Sequence, residues 1–259
     1  MSFLKNIYKL LPSKGIKETL KEVYFNRIRN EKFKRKNGHY VTTFDGKLEV
    51  ITKLPMYYVV KDINRYETFY KVQKDDVVMD AGANHAYLSI YYGKKVGSSG
   101  KVFAFEPDKI NIAEMEANIA LNPGVENIQI QEELIWNENM KLEFFEAGTV
   151  SSSIHYKPEN AKAILKDAIT IDSFQQREQL DRLDFIKMDI EGAEIEAMDG
   201  LVDVLEKFKP NFAIASYHWV NEEQTYKKVE AFFKAKNYPY KTVFYKDGEV
   251  ITFAGNSVA

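Results

Sequence analysis

The sequence predicts an α/β protein built on a doubly wound, mostly parallel sheet, and three observations lead there. From Asp76 onward, short apolar runs alternate with helical patterns, the order that repeated β-α units produce. The run Val77-Val78-Met79 ends in Asp80, passes the small-residue turn Ala81-Gly82-Ala83-Asn84 and meets a helical pattern at Tyr87-Leu88-Ser89-Ile90-Tyr91-Tyr92. A strand, a tight turn and a helix in this order present backbone N–H groups to a nucleotide-like ligand. Other predicted strands also end in polar residues: Glu106, Asp189, and a strand that runs into His218.

The elements follow in order. Phe3, Leu4, Ile7, Leu10 and Leu11 fall near helical spacing before Pro12, and Ile16, Leu20, Val23, Tyr24 and Ile28 continue an amphipathic pattern to about residue 34. Residues 39–55 read as short strands around the turn Phe44-Asp45-Gly46, and 63–70 as a short helix. A boundary is expected near residue 70, separating a basic helical arm with a small β extension (1–70) from the main domain (71–259). In the main domain the pattern predicts strand 77–80, helix 85–96, strand 101–106 stopped by Pro107, and helix 108–121 with Asp108 as N-cap. Strand 128–130, an inserted hairpin at 141–146 and 152–156, strand 184–189, helix 194–208, strand 211–216 and helix 222–237 come next. Segments 241–245 and 250–253 flank Lys246-Asp247-Gly248-Glu249 and read as a closing antiparallel hairpin.

Composition narrows the function. The 259 residues are 45% apolar and 29% charged, ordinary values for a folded soluble chain. The absence of Cys excludes a disulfide framework, a thiolate zinc site and a Cys nucleophile. It fits a reducing compartment, and a cytoplasmic location is expected. No run approaches the roughly 20 apolar residues that span a bilayer, and Lys5 and Lys9 interrupt the apolar N-terminal stretch, so no signal peptide is expected. Charge is uneven. Residues 1–36 carry eleven Lys or Arg and three Glu, a net +8, which leaves −10 on the rest. Such an arm suits an anionic acceptor or membrane surface, and it equally suits a solvated helical face.

The strand ends carry the candidate chemistry. Gly82 permits an unusual φ or a close approach, and Ala81 and Ala83 keep the turn thin. A carboxylate at Asp80 would repel the pyrophosphate of a dinucleotide and would suit a ligand bearing positive charge, such as the ammonium and sulfonium of S-adenosylmethionine. The plainer alternative is a strand-to-helix turn capped by Asp or Asn. Glu106, 24 residues after Gly82, could accept hydrogen bonds from ribose hydroxyls, or stand as a strand-end surface acid beside Pro107. In Asp184-Phe185-Ile186-Lys187-Met188-Asp189-Ile190-Glu191-Gly192-Ala193-Glu194 three acids crowd one strand end. Like charges so close raise one another's pKa and make one a candidate base, or they hold a hard divalent cation, or Glu191 and Glu194 cap the next helix. Lys187 shares a strand face with Asp189, so an ion pair between them is expected. His218 titrates near neutrality and can take a hydroxyl proton, though a lone His is more often structural. His85 sits just inside the turn, where it either meets ligand or starts the helix. His155, in the inserted segment, belongs to an acceptor loop or an ordinary strand.

Taken together, Asp80-Ala81-Gly82-Ala83-Asn84, Phe105-Glu106-Pro107, Thr170-Ile171-Asp172-Ser173-Phe174 and the stretch from Asp184 to Glu194 resemble, in this order, the FkbM family of S-adenosylmethionine-dependent methyltransferases. The resemblance covers about residues 75–255. It implies a seven-stranded, Rossmann-like methyltransferase sheet of strand order 3-2-1-4-5-7-6 with the last inserted strand antiparallel. It implies O-methylation of sugars or other small hydroxyl acceptors. Asp80, Gly82, Ala83, Asn84 and His85 would lie at the methionine-binding turn, Glu106 and Pro107 at the ribose, and Asp189 and Glu191 at the catalytic end. The chain departs from the family at Ala86, where Gly is usual, and at His85, where a small or aliphatic residue is usual.

The function expected is transfer of a methyl group from S-adenosylmethionine to a hydroxyl of a sugar, glycan or other small acceptor. His218 or Asp189 is expected as base, with Glu191 and Lys187 in support and no metal assigned. Two other classes stay open: a nucleic-acid methyltransferase whose arm grips phosphates, and a binding module without turnover.

Overall fold

A computed structural model describes residues 14–146 and 162–259. The predicted helix over 3–11, the second half of the inserted hairpin (152–156) and His155 lie outside the described residues. The chain divides into two compact units at Lys61 and Asp62.

In the first unit, α1 (Lys14–Ile28) is followed by β1 (Lys32–Lys36), β2 (His39–Phe44) and β3 (Leu48–Thr52), an antiparallel sheet of order β1-β2-β3. The helix ends earlier than residue 34 because Lys32–Lys36 pairs with His39–Thr43 across the Asn37-Gly38 turn, where both residues take positive φ. The small core is aromatic. Phe25 stacks on Tyr57 at 4.8 Å and meets Phe33 edge-on at 6.1 Å. Asn26 clamps helix to strand, donating through Nδ2 to the Phe33 carbonyl and accepting the Phe33 N–H. α2 (Val59–Tyr66) leads on along the chain.

The second unit is the doubly wound sheet. Its strands are β4 (Val77–Ala81), β5 (Lys101–Phe105) and β6 (Ile128–Gln131), then β10 (Phe185–Met188), β11 (Asn211–Ala215), β14 (Tyr240–Phe244) and β15 (Val250–Ala254), with β7 (Leu134–Ile135), β8 (Met140–Glu146) and β9 (Lys162–Ile169) forming a separate inserted sheet. The seven strands run in the spatial order β14-β15-β11-β10-β4-β5-β6. Read from β6, this is the predicted 3-2-1-4-5-7-6. The strands β11, β10, β4, β5 and β6 are parallel, and β15 is antiparallel to both neighbours. Central strands are buried on both faces, as helices on both sides of a parallel sheet require. Those helices are α3 (Tyr87–Val96), α4 (Lys109–Ala120), α5 (Ile171–Arg177), α6 (Glu194–Asp199), α7 (Val202–Phe208) and α8 (Tyr226–Ala235).

Asp108 caps α4 as expected, accepting the N–H groups of Ile110 and Asn111. The Thr170–Phe174 motif turns out to be structural. Thr170 caps α5, Asp172 accepts the N–H groups of Asp203 and Val204 at the start of α7, and Phe174 packs edge-on against Phe103 and Phe105. The expected helix 194–208 is two helices, broken at Gly200. A β-carbon at Gly200 would run into the Trp136 carbonyl, so the chain there packs too closely for any other residue. The expected helix 222–237 begins only at Tyr226, because β12 (Trp219–Val220) and β13 (Glu223–Gln224) form a hairpin. Its two turn residues, Asn221 and Glu222, both take positive φ, the geometry of a type I′ turn.

Candidate functional site

The carboxyl ends of β11, β10, β4 and β5 lie side by side in that order. They bring the residues after them, at and beyond His218, Asp189, Gly82 and Glu106, to one edge of the sheet. Ligands of open α/β sheets bind along this edge.

At β4 the turn is held from behind. Asp80 is fully buried, and its Oδ2 accepts the Ser89 hydroxyl at 2.6 Å. Lys187 pairs with Asp80, Nζ to Oδ1 at 3.1 Å, and not with Asp189. The strand register explains the choice, since Lys187 lies directly opposite Asp80 in the β10–β4 pair. The same ammonium donates to the carbonyls of Ala81 and Gly82 at 3.2 and 2.8 Å. Asp80 therefore acts on the turn from within, its charge balanced by a cation of the chain. Gly82 has φ +77°, and a β-carbon there would overlap the carbonyl oxygen of Asp189. The close approach expected at this glycine is thus to the neighbouring strand end. Gly82 and Ala83 both donate their N–H groups to the Phe105 carbonyl.

Asn84 and Ala86 also take positive φ, 50° and 62°. Ala86, immediately before α3, holds a left-handed conformation that glycine fills without strain, which accounts for the glycine usual at this position. His85 is half-buried; its carbonyl accepts from Asn118 and its ring lies edge-on to Tyr87 at 5.8 Å.

Glu106 is buried at the end of β5. Its Oε2 accepts the Asn84 N–H at 2.8 Å, and its Oε1 accepts from Asp108 N at 3.0 Å and Asn111 Nδ2 at 3.3 Å. The carboxylate thus ties the β4 turn to the β5 turn, with Pro107 half-buried beside it. Three of its roughly four acceptor positions are filled, leaving room for one further donor. Burial raises its pKa, the N–H donors oppose this, and the result is about 7.

The β10 end carries the densest charge. Asp189 Oδ2 accepts the Tyr66 hydroxyl at 2.9 Å, a contact that sequence reasoning missed because 123 residues separate the pair. Glu191 has φ 56°, a strained conformation of the kind that concentrates at functional turns. Glu194, at the start of α6, is fully buried and accepts the N–H groups of Ile190 and Gly192 through Oε1.

His218 reaches into this group from β11, just before the β12–β13 hairpin that the sequence reading also missed. Its Nδ1 lies 3.2 Å from Glu194 Oε1, and its Nε2 lies 3.6 Å from Asp189 Oδ1 and 3.7 Å from Glu191 Oε2. Among the described residues, Asp189 Oδ1 and Glu194 Oε2 are buried with no hydrogen-bond partner. Burial lowers the His218 pKa, but Glu194, Asp189 and Glu191 outweigh it and raise it to about 9. Burial raises that of Glu191, His218 opposes it, Asp189 and Glu194 add to it, and it settles at about 7. Burial and the same acids also push the Tyr217 hydroxyl up.

The donor set is one of carboxylates and a protonated imidazole. It suits hydroxyl donors and positive charge, and it opposes a pyrophosphate. It therefore fits S-adenosylmethionine, whose ribose offers hydroxyls and whose methionine end carries an ammonium and a sulfonium. Glu106, with one acceptor position left, would meet the ribose, and the turn 82–85 would meet the methionine end. Asp189, Glu194 and His218 also each place one ligand atom within 4.8 Å of the others, a spacing that a divalent cation could bridge. Among the described residues no helix is long and apolar enough to cross a membrane.

Comparison with known proteins identifies the family and the fold. The chain matches the family model "Methyltransferase FkbM domain" over residues 80–240. No curated protein matches it. Among solved structures, it is similar to the methyltransferase FkbM from Methylobacillus flagellatus KT, with a TM-score of 0.54 and 19% identity over 74% of this chain and 47% of that one. This chain thus spans less than half of that protein. It also matches a precorrin-6y C5,15-methyltransferase from Geobacter metallireducens GS-15 (TM-score 0.46, 16% identity, 82% of this chain and 94% of that one). A third match is the Aeropyrum pernix fibrillarin in complex with S-adenosyl-L-methionine (TM-score 0.47, 11% identity, 86% and 97%). With the family model spanning more than half of the chain and the sheet in the matching strand order, the protein belongs to the FkbM family of S-adenosylmethionine-dependent methyltransferases.

Proposed function

We propose that this protein is an O-methyltransferase acting on a hydroxyl of a sugar, glycan or other small acceptor, with Glu191 taking the hydroxyl proton. The observation that carries this reading is the cluster at the β10 end: a carboxylate with a pKa of about 7, one third exposed, held beside a His of pKa about 9. A base works best when its pKa lies near the working pH. His218 at about 9 is charged at neutral pH, so it is better placed to hold Glu191 than to accept a proton itself. That divides the work differently from the sequence expectation, in which His218 or Asp189 was the base. Asp189 is bound by the Tyr66 hydroxyl, and Lys187 is committed to Asp80 and the turn carbonyls; both fit positioning roles.

S-adenosylmethionine supplies a methyl group already activated by its sulfonium. The chain must then align the acceptor oxygen, exclude water and remove one proton. Glu106 orients the ribose, and the turn at 82–85 fixes the methionine end.

Calorimetric titration tests the cofactor half. Glu106→Gln should weaken S-adenosylmethionine binding by the value of a hydrogen bond to a charged group, about 1.5–3 kcal/mol, and neither form should prefer NAD. Unchanged affinity would remove Glu106 from the ribose. For the acceptor half, isotope-labelled methyl transfer to a panel of mono- and oligosaccharides, amines and RNA, read by mass spectrometry, should label hydroxyl oxygen. Label on nitrogen or on RNA would overturn the reading. Loss of transfer on adding EDTA would assign Asp189, Glu194 and His218 to a cation instead of a proton.

A further inference from the structure

Three consecutive residues, Arg65, Tyr66 and Glu67, fasten the chain at the end of α2 to three parts of the second unit. Arg65 pairs with Asp247 and Glu249 in the turn between β14 and β15, and its guanidinium lies 4.1 Å over the Tyr245 ring. Glu67 is buried and accepts from Lys95 and Tyr91 of α3 and from the Val72 N–H. Tyr66, between them, is 3% exposed and reaches the carboxyl end of β10. Its hydroxyl donates to Asp189 Oδ2 at 2.9 Å, and its ring faces the Lys187 ammonium at 5.6 Å. The anchors on either side hold its backbone, so the ring and hydroxyl arrive in one fixed place.

Both partners of Tyr66 hold the same turn. The Lys187 ammonium donates to the Ala81 and Gly82 carbonyls. The Asp189 N–H donates to the Ala81 carbonyl at 3.0 Å, and the Asp189 carbonyl fills the space that a β-carbon on Gly82 would need. The shape of the Ala81–Gly82 turn therefore depends on two residues of one strand end, and a single side chain braces both. The two contacts are chemically distinct. The hydroxyl fixes the Asp189 carboxylate by a charge-assisted hydrogen bond, and the ring face attracts the Lys187 cation. Burial and the Asp189 charge push the Tyr66 hydroxyl up, so it keeps its proton and stays a donor.

We propose that Tyr66 is a positioning residue for the cofactor: its hydroxyl, through Asp189, and its ring, through Lys187, hold the turn that receives the methionine end of S-adenosylmethionine. The inference rests on the reading above that the turn at 82–85 fixes that end. It does not depend on which acceptor is methylated.

Calorimetric titration of the full chain tests it. Tyr66→Phe removes the hydroxyl and keeps the ring. It should weaken S-adenosylmethionine binding by about three- to tenfold, part of the value of a hydrogen bond to a charged group. Adenosine carries the ribose but no methionine end, so it should bind the variant as tightly as the wild type. Tyr66→Leu also removes the ring and should weaken S-adenosylmethionine by about a further fivefold, the value of a cation–π contact; the ring of Tyr66→Phe restores that part alone. In an Asp189→Ala background Tyr66→Phe should add nothing to the loss, because the hydroxyl acts through that carboxylate. Unchanged S-adenosylmethionine affinity in Tyr66→Phe overturns the proposal. An equal loss of adenosine binding also overturns it, since Tyr66 would then support the fold as a whole, and so does a loss that persists in the Asp189→Ala background. The variant Asp80→Asn/Lys187→Met separates this failure from that of the underlying reading. If it too leaves S-adenosylmethionine affinity unchanged, the turn does not meet the methionine end, and both fall.

Discussion

Lys187→Met should cost about 3–5 kcal/mol of unfolding free energy in denaturant titrations, because it leaves a buried carboxylate without its cation. Asp80 has no solvent exposure, and among the described residues its remaining partner in hydrogen bonding is the Ser89 hydroxyl. Methionine matches the aliphatic stem of Lys187 but not the ammonium, which lies 3.1 Å from Asp80 and also holds the Ala81 and Gly82 carbonyls and faces the Tyr66 ring at 5.6 Å. The double variant Asp80→Asn/Lys187→Met removes the orphaned charge and should recover a large part of the loss. The cycle of single and double variants then measures the coupling directly. The turn carbonyls would be released in both variants, so S-adenosylmethionine affinity should fall in both, including the one whose stability recovers. A cost below about 1 kcal/mol for Lys187→Met, the value of an exposed pair, would mean that water reaches Asp80 and that the pair does not anchor the turn.

That pair marks the limit of what the sequence made legible. The sheet could be read because each central strand is a short, continuous apolar run closed by a turn residue, and because the polar residues fall at strand ends, where nothing in the core requires them. The candidate site residues were chosen from this pattern, and the N-cap at Asp108 followed from it. Their partners did not. Lys187 and Asp189 share a strand face, so the spacing suggested that they meet. What decides the matter is the register between β10 and β4, which sets Lys187 opposite Asp80 and which no local pattern encodes. The signal available was that a Lys in a buried strand requires a neutralising partner somewhere. The Tyr66–Asp189 contact has the same origin. The hairpin at Trp219–Gln224 was missed for a different reason. Its turn is Asn221-Glu222 rather than Asn-Gly, so the usual two-residue signal was half absent and the surrounding residues read as helix. The hairpin matters because it follows His218 directly: the His218 carbonyl accepts the Thr225 N–H beyond it.

Glu191→Gln should lower kcat by about 10²–10⁴-fold, the usual contribution of a positioned base, with S-adenosylmethionine affinity unchanged. In the wild-type enzyme kcat should rise with pH through a limb near 7, where Glu191 ionises. Glu106 is also raised to about 7, but in the proposed role at the ribose its ionisation would act on cofactor binding, so it should appear in KM for S-adenosylmethionine and vanish from kcat at saturation. His218→Ala separates the two roles open to the imidazole. The charged ring lowers the Glu191 pKa against Asp189 and Glu194. Removing it should move the kcat limb upward, so activity lost at pH 7 returns at higher pH. If His218 were itself the base, activity would be lost at every pH without recovery.

Stability gives an independent readout that needs no acceptor. The folded His218 pKa of about 9 lies above its ordinary 6.5, so its charge stabilises the fold fully below pH 6.5, and that contribution disappears as pH rises through 9. The shift corresponds to about 3 kcal/mol. Glu191 and Glu106, raised from 4.5 to about 7, favour the folded state when protonated, so their losses fall in the lower window between about 4.5 and 7. Wild-type protein should therefore lose stability between pH 6.5 and 9 through His218, and His218→Ala should lose that contribution, keeping in this window only the slope of Glu191, whose pKa rises once the imidazole is gone. A wild-type curve already flat across that window would mean that the three acids do not hold His218 charged, and Glu191 would lose the partner that sets its pKa.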